Sequence, residues 1–223
     1  MEYFNLLNDI QKSNINVIIE SMQNGPINND FTKAAILAVS SKESSFLLNS
    51  EMSYAHTPND RIRAIFGTHF KEISDDDLTR IKNDPKEFFD DVYGGMYGNA
   101  PDEGYKYRAR GFHDTTFKGN YIAAAKKLNV DLVNNPDLLN TPTVAAAEMI
   151  QYFVDRFAMA DEHVKADIHA NDINGFTTLE DALVGIYRAN AGWAKPIFPD
   201  VTGGFAKAHD RVEGFLTMIK NSK

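Results

Sequence analysis

Asp30-Phe31-Thr32-Lys33-Ala34-Ala35-Ile36-Leu37-Ala38-Val39-Ser40-Ser41-Lys42-Glu43-Ser44-Ser45-Phe46-Leu47-Leu48 is the stretch from which the fold is read outward. Ile36, Val39, Ser40, Glu43 and Leu47 recur at spacings of three and four, which predicts a helix with these residues on its inner stripe. Asp30 or Thr32 is the expected cap, and the helix is expected to run to about Leu48. Taken alone, Glu43 reads as a solvated residue near a helix end, no more notable than Glu51, Glu72 or Glu148.

The rest of the chain repeats the helical pattern. Residues 3–23 have roughly helical spacing and are stopped by Asn24-Gly25-Pro26. Residues 59–70 predict a third helix with Ile62, Ile65 and Phe66 inward, and 75–82 and 85–92 predict short charged surface helices. Helices are expected again at 119–129, 141–160, 177–189 and 203–220. The 141–160 helix should bury Val144, Ala147, Ile150, Val154 and Phe157 behind a Thr141-Pro142 start. Residues 161–176 read as a polar connection. Residues 93–120 differ, because Gly94, Gly95, Gly98, Gly104, Gly111 and Gly119 alternate with aromatic residues. That mixture predicts structured loops with a short hairpin, the kind of segment that carries sites. The fold class expected is mainly α.

Bulk properties narrow the function. The chain has 223 residues, enough for one domain with a real core, and a net charge of −8, which argues against nucleic acid or anionic membranes as partners. No apolar run approaches the roughly 18 to 20 residues that span a bilayer. Arg61, Arg63, Lys106, Arg108, Arg110 and Lys118 could form a local basic patch. The first twenty residues lack a basic region followed by an apolar one, so synthesis in the cytoplasm without a signal peptide is expected. Cysteine is absent, which excludes disulfides and thiolate chemistry. Asp75-Asp76-Asp77 lacks calcium-loop spacing and reads as a helix start. His163, Asp167, His169 and Asp172 offer no convincing third zinc ligand, so no metal and no cofactor are expected.

One further segment reads Tyr105-Lys106-Tyr107-Arg108-Ala109-Arg110-Gly111-Phe112-His113-Asp114-Thr115-Thr116-Phe117-Lys118-Gly119-Asn120-Tyr121. It resembles the Tyr-x-Gly-Arg-Gly-x-Ile-Gln-Leu-Thr-Gly-x-x-Asn-Tyr stretch of family 19 glycoside hydrolases. Residues 123–139 resemble that family's continuation through a long helix to Asn-Pro-Asp-Leu. Ala38-Val39-Ser40-Ser41-Lys42-Glu43-Ser44-Ser45-Phe46 is similar to its Ala-His-Glu-Ser-Gly-Gly-Phe, and Glu51-Met52-Ser53-Tyr54 to the Glu-x-Leu-Asn-Tyr of its phage endolysin branch. Arg188-Ala189-Asn190-Ala191-Gly192 resembles the Asn-Gly-Gly element, and Arg211 the arginine that follows it. The motifs run in order from about residue 32 to 217, and together they are more specific than any one of them.

The resemblance implies a lysozyme-like, two-lobed helical domain with a central substrate cleft. It would be a single catalytic domain over residues 1–223, with an N-terminal helix to about 25 and a family 19-like core at 32–220. It implies glycosidic bond cleavage by two carboxyls with inversion, which asks for roughly 6.5 to 9.5 Å between them. Glu43 would protonate the leaving oxygen, and its place on the inner stripe suggests partial desolvation and a raised pKa. Glu51 would lie beyond the helix in a wetter loop, stay ionised and activate water, with Thr116 helping to hold that water. Tyr54, Tyr107, Arg110, Asp114, Asn120, Tyr121, Asn190 and Arg211 are the expected substrate-binding residues; read by themselves, Arg108 and Arg110 equally suit bracing a buried carboxylate, Tyr105, Tyr107 and Tyr121 a core place with a hydrogen-bonded hydroxyl, and Asn190 loop capping.

The sequence departs from the family pattern at several points. Lys42 stands where the family has histidine, Ala109 where it has glycine, His113-Asp114 where it has Ile-Gln, and Ala191 where it has glycine. The compact spacing of Glu43 and Glu51 resembles the phage branch. The expected function is therefore peptidoglycan hydrolysis by a monomer that reaches the bacterial wall after holin-type release. Chitin hydrolysis, a lytic transglycosylase reaction and a non-catalytic wall-binding phage component are the other readings.

Overall fold

The computed structural model describes residues 2–193 and 204–223. Among these it forms α1 (Glu2–Asn5), α2 (Asp9–Gln23), α3 (Asp30–Glu43), α4 (Asn59–Phe70), α5 (Asp75–Asn83), α6 (Pro85–Tyr93), α7 (Lys118–Leu128), a 3-10 turn (Pro136–Asn140), α8 (Pro142–Ala158), α9 (Glu162–Asp167), α10 (Leu179–Asn190) and α11 (Gly204–Asn221). Residue 203, the start of the expected 203–220 helix, lies outside the described residues. None of the described helices is long and apolar enough to cross a membrane. The chain divides into two compact units, residues 1–48, 111–113 and 141–223 in the first, and residues 49–110 and 114–140 in the second.

In the first unit, α3 is the central element and packs against α10 and α11. Every residue from Thr32 to Ser41 is buried, so the one-sided stripe expected from the sequence is replaced by a helix covered on all sides. Ala34, Ala35, Ala38, Ser40 and Ser41 make this possible, since small side chains admit close neighbours. The cap is Asn29 rather than Asp30 or Thr32. Its side chain accepts from the Phe31 and Thr32 amides, while its own amide donates to the Asn174 and Phe176 carbonyls. Helix α3 stops at Glu43, short of Leu48, because Ser45 and Phe46 take positive φ values of 50° and 58°. That turn buries the Phe46 ring against Phe215, and the Phe46 carbonyl accepts from Asn14.

The predicted 3–23 helix is broken at Leu6–Asn8 by a capping box, in which the Asn8 and Gln11 side chains each bond the other's backbone amide. The buried face of α8 is Ala145, Ala146, Glu148, Met149, Ile150, Phe153 and Phe157. Ile150 and Phe157 match the expectation; Val144, Ala147 and Val154 lie at its margins. The face is rotated because Met149 meets Ser40 and Glu148 meets His113. The polar connection at 161–176 contains α9.

The second unit is built on aromatic rings. Phe66, Phe70, Phe88, Phe89, Tyr54 and Tyr93 pack with Ile62, Leu78, Ile81 and Val92. Ile65 is exposed, and Phe66 has non-helical angles (φ −118°, ψ 32°) that kink α4. Ser74 caps α5, with Asp75, Asp76 and Asp77 in its first turn; Asp84 caps α6, with Pro85 at its first position. Gly104 lies against the Phe89 backbone, where a Cβ would fall 2.0 Å from the carbonyl oxygen. Residues 94–117 contain no helix, and the expected hairpin is reduced to a single antiparallel bridge, Arg110 with Thr115.

Candidate active site

Glu43 is the last residue of α3, in the first unit, with its side chain about a quarter exposed. Its carboxylate is ion-paired with Lys42, and Asn190 Nδ2 donates to Oε1 at 3.0 Å. Asn190 is itself the last residue of α10, so the ends of two packed helices bring the pair together. The Lys42 ammonium also lies 5.7 Å from the centre of the Tyr187 ring.

Glu51 belongs to the second unit and lies, as expected, in a loop beyond α3. The loop is pinned by backbone: the Glu51 amide donates to the Ala109 carbonyl at 2.8 Å, and Arg108 Nε to the Glu51 carbonyl at 3.2 Å. Its carboxylate accepts from the Tyr54 hydroxyl at 3.0 Å and from the Tyr93 hydroxyl, which stands 3.1 Å from each oxygen. Burial pushes the Glu51 carboxyl above its ordinary range, and the charge of Asp114 adds to this; the two phenols and the Ala109 backbone pull the other way without cancelling it. The expected wetter setting for Glu51 is thus corrected. It is the desolvated carboxyl, because the aromatic core of its unit surrounds it, whereas Glu43 has the cation.

The 105–121 segment supplies scaffold more than surface. Tyr107 and Tyr121 are fully buried, and Arg110 is 2 % exposed. The Tyr107 hydroxyl donates to the Val133 carbonyl, and the Tyr121 hydroxyl donates to the Arg108 carbonyl and accepts from Arg110. Arg110 also pairs with Asp137 at 2.7 Å and bonds the Lys106 and Arg108 carbonyls. In these three the structure shows the bracing role that the residue types also allowed, Arg110 on the Asp137 carboxylate and the two tyrosines in the core with bonded hydroxyls.

The other expected positions remain accessible. Asp114 is exposed, with φ +60°, and Asn120 is exposed, donating to the Thr116 carbonyl. Thr116 is part-exposed, and its hydroxyl donates to the Asp114 carbonyl at 2.9 Å, which leaves its oxygen able to accept. Tyr54 touches the Glu51 carboxylate directly. Arg211 lies over the Tyr3 ring at 3.8 Å and bonds the backbone and hydroxyl of Ser41, so it braces the end of α3. Of the residues offered for a basic patch, Arg63 pairs with Asp75, Lys118 with Glu103 and Arg110 with Asp137.

Two features were missed in the sequence. Tyr93, at the end of α6, is a partner of Glu51 separated from it by 42 positions. His113 Nδ1 stands 2.9 Å from Glu148 Oε2, with both side chains under a tenth exposed, and its ring stacks on Tyr152. Glu148 lies on the inner face of α8, so a register read one position differently would have flagged it. Among the described residues no group of three or more histidine, aspartate or glutamate side chains is arranged to hold a metal ion.

No protein-family model matches the sequence, and neither does any characterised protein compared with it. Among solved structures, chitinase C from Streptomyces griseus HUT6037 is similar in fold. Its TM-score is 0.53 at 16% identity, over 98% of this chain and 74% of that one. A chitinase C point variant gives a TM-score of 0.47 at 16% identity, over 92% and 83% of the two chains. The fold is accordingly mainly α and similar to that of chitinase C.

Proposed function

We propose that this chain is a glycoside hydrolase that cuts bonds between the amino sugars of bacterial peptidoglycan, with Glu43 and Glu51 as its two carboxyls. One observation carries the reading. Glu51 is a desolvated carboxyl whose side-chain partners are phenols rather than a cation. Burying a carboxylate in that way costs stability, and groups so disfavoured cluster where chemistry needs them. The chitinase-like fold supports a glycan as substrate, and the compact Glu43-to-Glu51 spacing supports peptidoglycan and the phage endolysin branch. Acting on the wall after release from the cytoplasm follows from the same reading, as do Thr116 beside the attacking water and Asp114, Asn120 and Asn190 near the sugars.

The family resemblance supports Glu43 as the proton donor and Glu51 as the group that activates water. The charge environments favour a second assignment in which the roles are exchanged. Lys42 pairs with Glu43, while burial raises Glu51, and a raised carboxyl is the better proton donor near neutral pH. Leaving-group dependence separates the two. The glutamine variant of the proton donor should keep most activity on an aryl glycoside with an acidic leaving phenol, and the variant of the base should not. The parent reading is tested by turbidity loss of permeabilised bacteria, run beside cleavage of soluble chitin oligomers. Lysis without oligomer cleavage supports peptidoglycan, the reverse supports chitin, and neither activity would leave the non-catalytic reading in its place.

A further inference from the structure

The Glu51 carboxylate is held by two phenols with an unequal division of its oxygens. Oε1 takes a hydrogen bond from Tyr54 at 3.0 Å, and Tyr93 stands 3.1 Å from both Oε1 and Oε2. Neither ring can swing freely. Tyr54 stacks on Phe88 with centroids 5.0 Å apart and meets Phe66 edge-on at 5.2 Å. Tyr93 lies parallel to Phe89, with 15° between planes, and takes the Phe117 ring edge-on at 5.4 Å. The Tyr93 carbonyl accepts from Asn99, which fixes the end of α6. The backbone on either side of the Glu51 side chain is fixed as well, by Ala109 and Arg108.

Resting on the reading of Glu51 as a catalytic carboxyl, we propose that Tyr93 is a positioning residue that, together with Tyr54, clamps the Glu51 carboxylate and leaves Oε2 as the oxygen that transfers the proton. Tyr54 engages Oε1 alone, and the single Tyr93 proton is shared between the two oxygens, so Oε2 is the less heavily hydrogen-bonded of the pair. A carboxylate on a flexible side chain loses rate when its working oxygen is misaligned, and a clamp built on packed rings removes that loss. The charged groups that act on Glu51 are Asp114, which opposes its ionisation, and Arg108, which reaches its backbone carbonyl. Burial and the Glu51 charge push both phenols far above their ordinary range, so the clamp itself stays protonated across the working pH. A hydrogen bond to the charged form favours that form, so loss of a phenol hydroxyl moves the titration of Glu51 upward.

Tyr93→Phe keeps the ring that packs on Phe89 and Phe117 and removes only the hydroxyl. Two readouts are taken, the 13C NMR titration of labelled glutamate carboxyls, with Glu51 assigned by its loss in Glu51→Gln, and the pH dependence of kcat and KM on cell-wall glycan. The expected result is an upward shift of the Glu51 titration and a fall in kcat of about tenfold, with KM nearly unchanged. Tyr54→Phe should act in the same direction, and the double variant should exceed either. An unshifted titration in Tyr93→Phe would overturn the clamp, as would a change confined to KM, which would make the hydroxyl a substrate contact. The titration needs no turnover, so a chain that cut no glycan would lose the hydrolase reading while the NMR shift still decided whether the phenols hold Glu51. If Tyr93→Phe failed to fold, Tyr54→Phe would be read in the same two ways.

Discussion

Asn190 Nδ2 lies 3.0 Å from Glu43 Oε1, and each residue is the last of its helix. Because α3 and α10 pack together, the amide is delivered to the carboxylate by the main fold of the first unit rather than by a loop. A hydrogen bond to a charged group is worth roughly 1.5–3 kcal/mol when one partner is removed. Asn190→Ala should therefore lower turnover by about ten- to a hundredfold and also lower the unfolding midpoint, by less than the full figure because the pair is partly solvated. Kinetics on wall glycan beside a thermal melt checks this; equal turnover would remove Asn190 from the site.

Glu51 makes stability depend on pH. Its folded carboxyl is raised above its unfolded value. The folded state then holds the proton longer, and stability declines as pH rises from the unfolded to the folded value, flattening above it. Glu51→Gln removes the buried charge, so the variant should gain stability relative to the parent at pH 7 to 8 and lose that gain at acid pH. Urea midpoints at several pH values measure it. A pH-independent difference would contradict the assignment of burial as the cause.

Which limb of the rate profile moves in Tyr93→Phe identifies the role of Glu51. Loss of the hydroxyl raises the Glu51 titration. If Glu51 works ionised, the acid limb shifts to higher pH; if it works protonated, the alkaline limb does. The profile reports coupled values, so the shift rather than its absolute position is the readout.

Tyr107, Tyr121 and Arg110 test the bracing role. As buried braces, Tyr121→Phe should reduce stability by about 1 kcal/mol through the lost hydrogen bonds and leave KM unchanged. A raised KM at unchanged stability would return Tyr121 to the sugar. Gly104→Ala is the matching test of the second unit. Its Cβ would sit 2.0 Å from the Phe89 carbonyl, so a loss of about 1–3 kcal/mol or more is expected, read as lost amide protection in α4 to α6 before α3.

Much of the fold was legible because helical spacing is local. The helices at 59–70, 75–82 and 85–92 were read within a residue or so of α4, α5 and α6. The stop of α3 at Glu43 was not, because it depends on Phe46 dropping into a core formed with Phe215, far away in sequence. The site was legible in part. The loop position of Glu51 followed from a helix expected to end near Leu48, but its desolvation follows from rings on α4 and α6 that no local pattern links to it. Tyr107 and Tyr121 illustrate the converse: residue type and spacing mark them, and only burial tells a brace from a contact.

In the proposed reaction Glu43 and Glu51 act on one glycosidic bond with an activated water. The most direct measurement is the anomeric form and end structure of the first products from a defined wall oligosaccharide, followed by NMR and mass spectrometry for the parent, Glu43→Gln and Glu51→Gln. Reducing ends of inverted configuration are expected from the parent, and losses of about 100- to 10,000-fold from each glutamine variant. Products ending in 1,6-anhydro sugars, or near-parental rates with either variant, would contradict the proposed reaction.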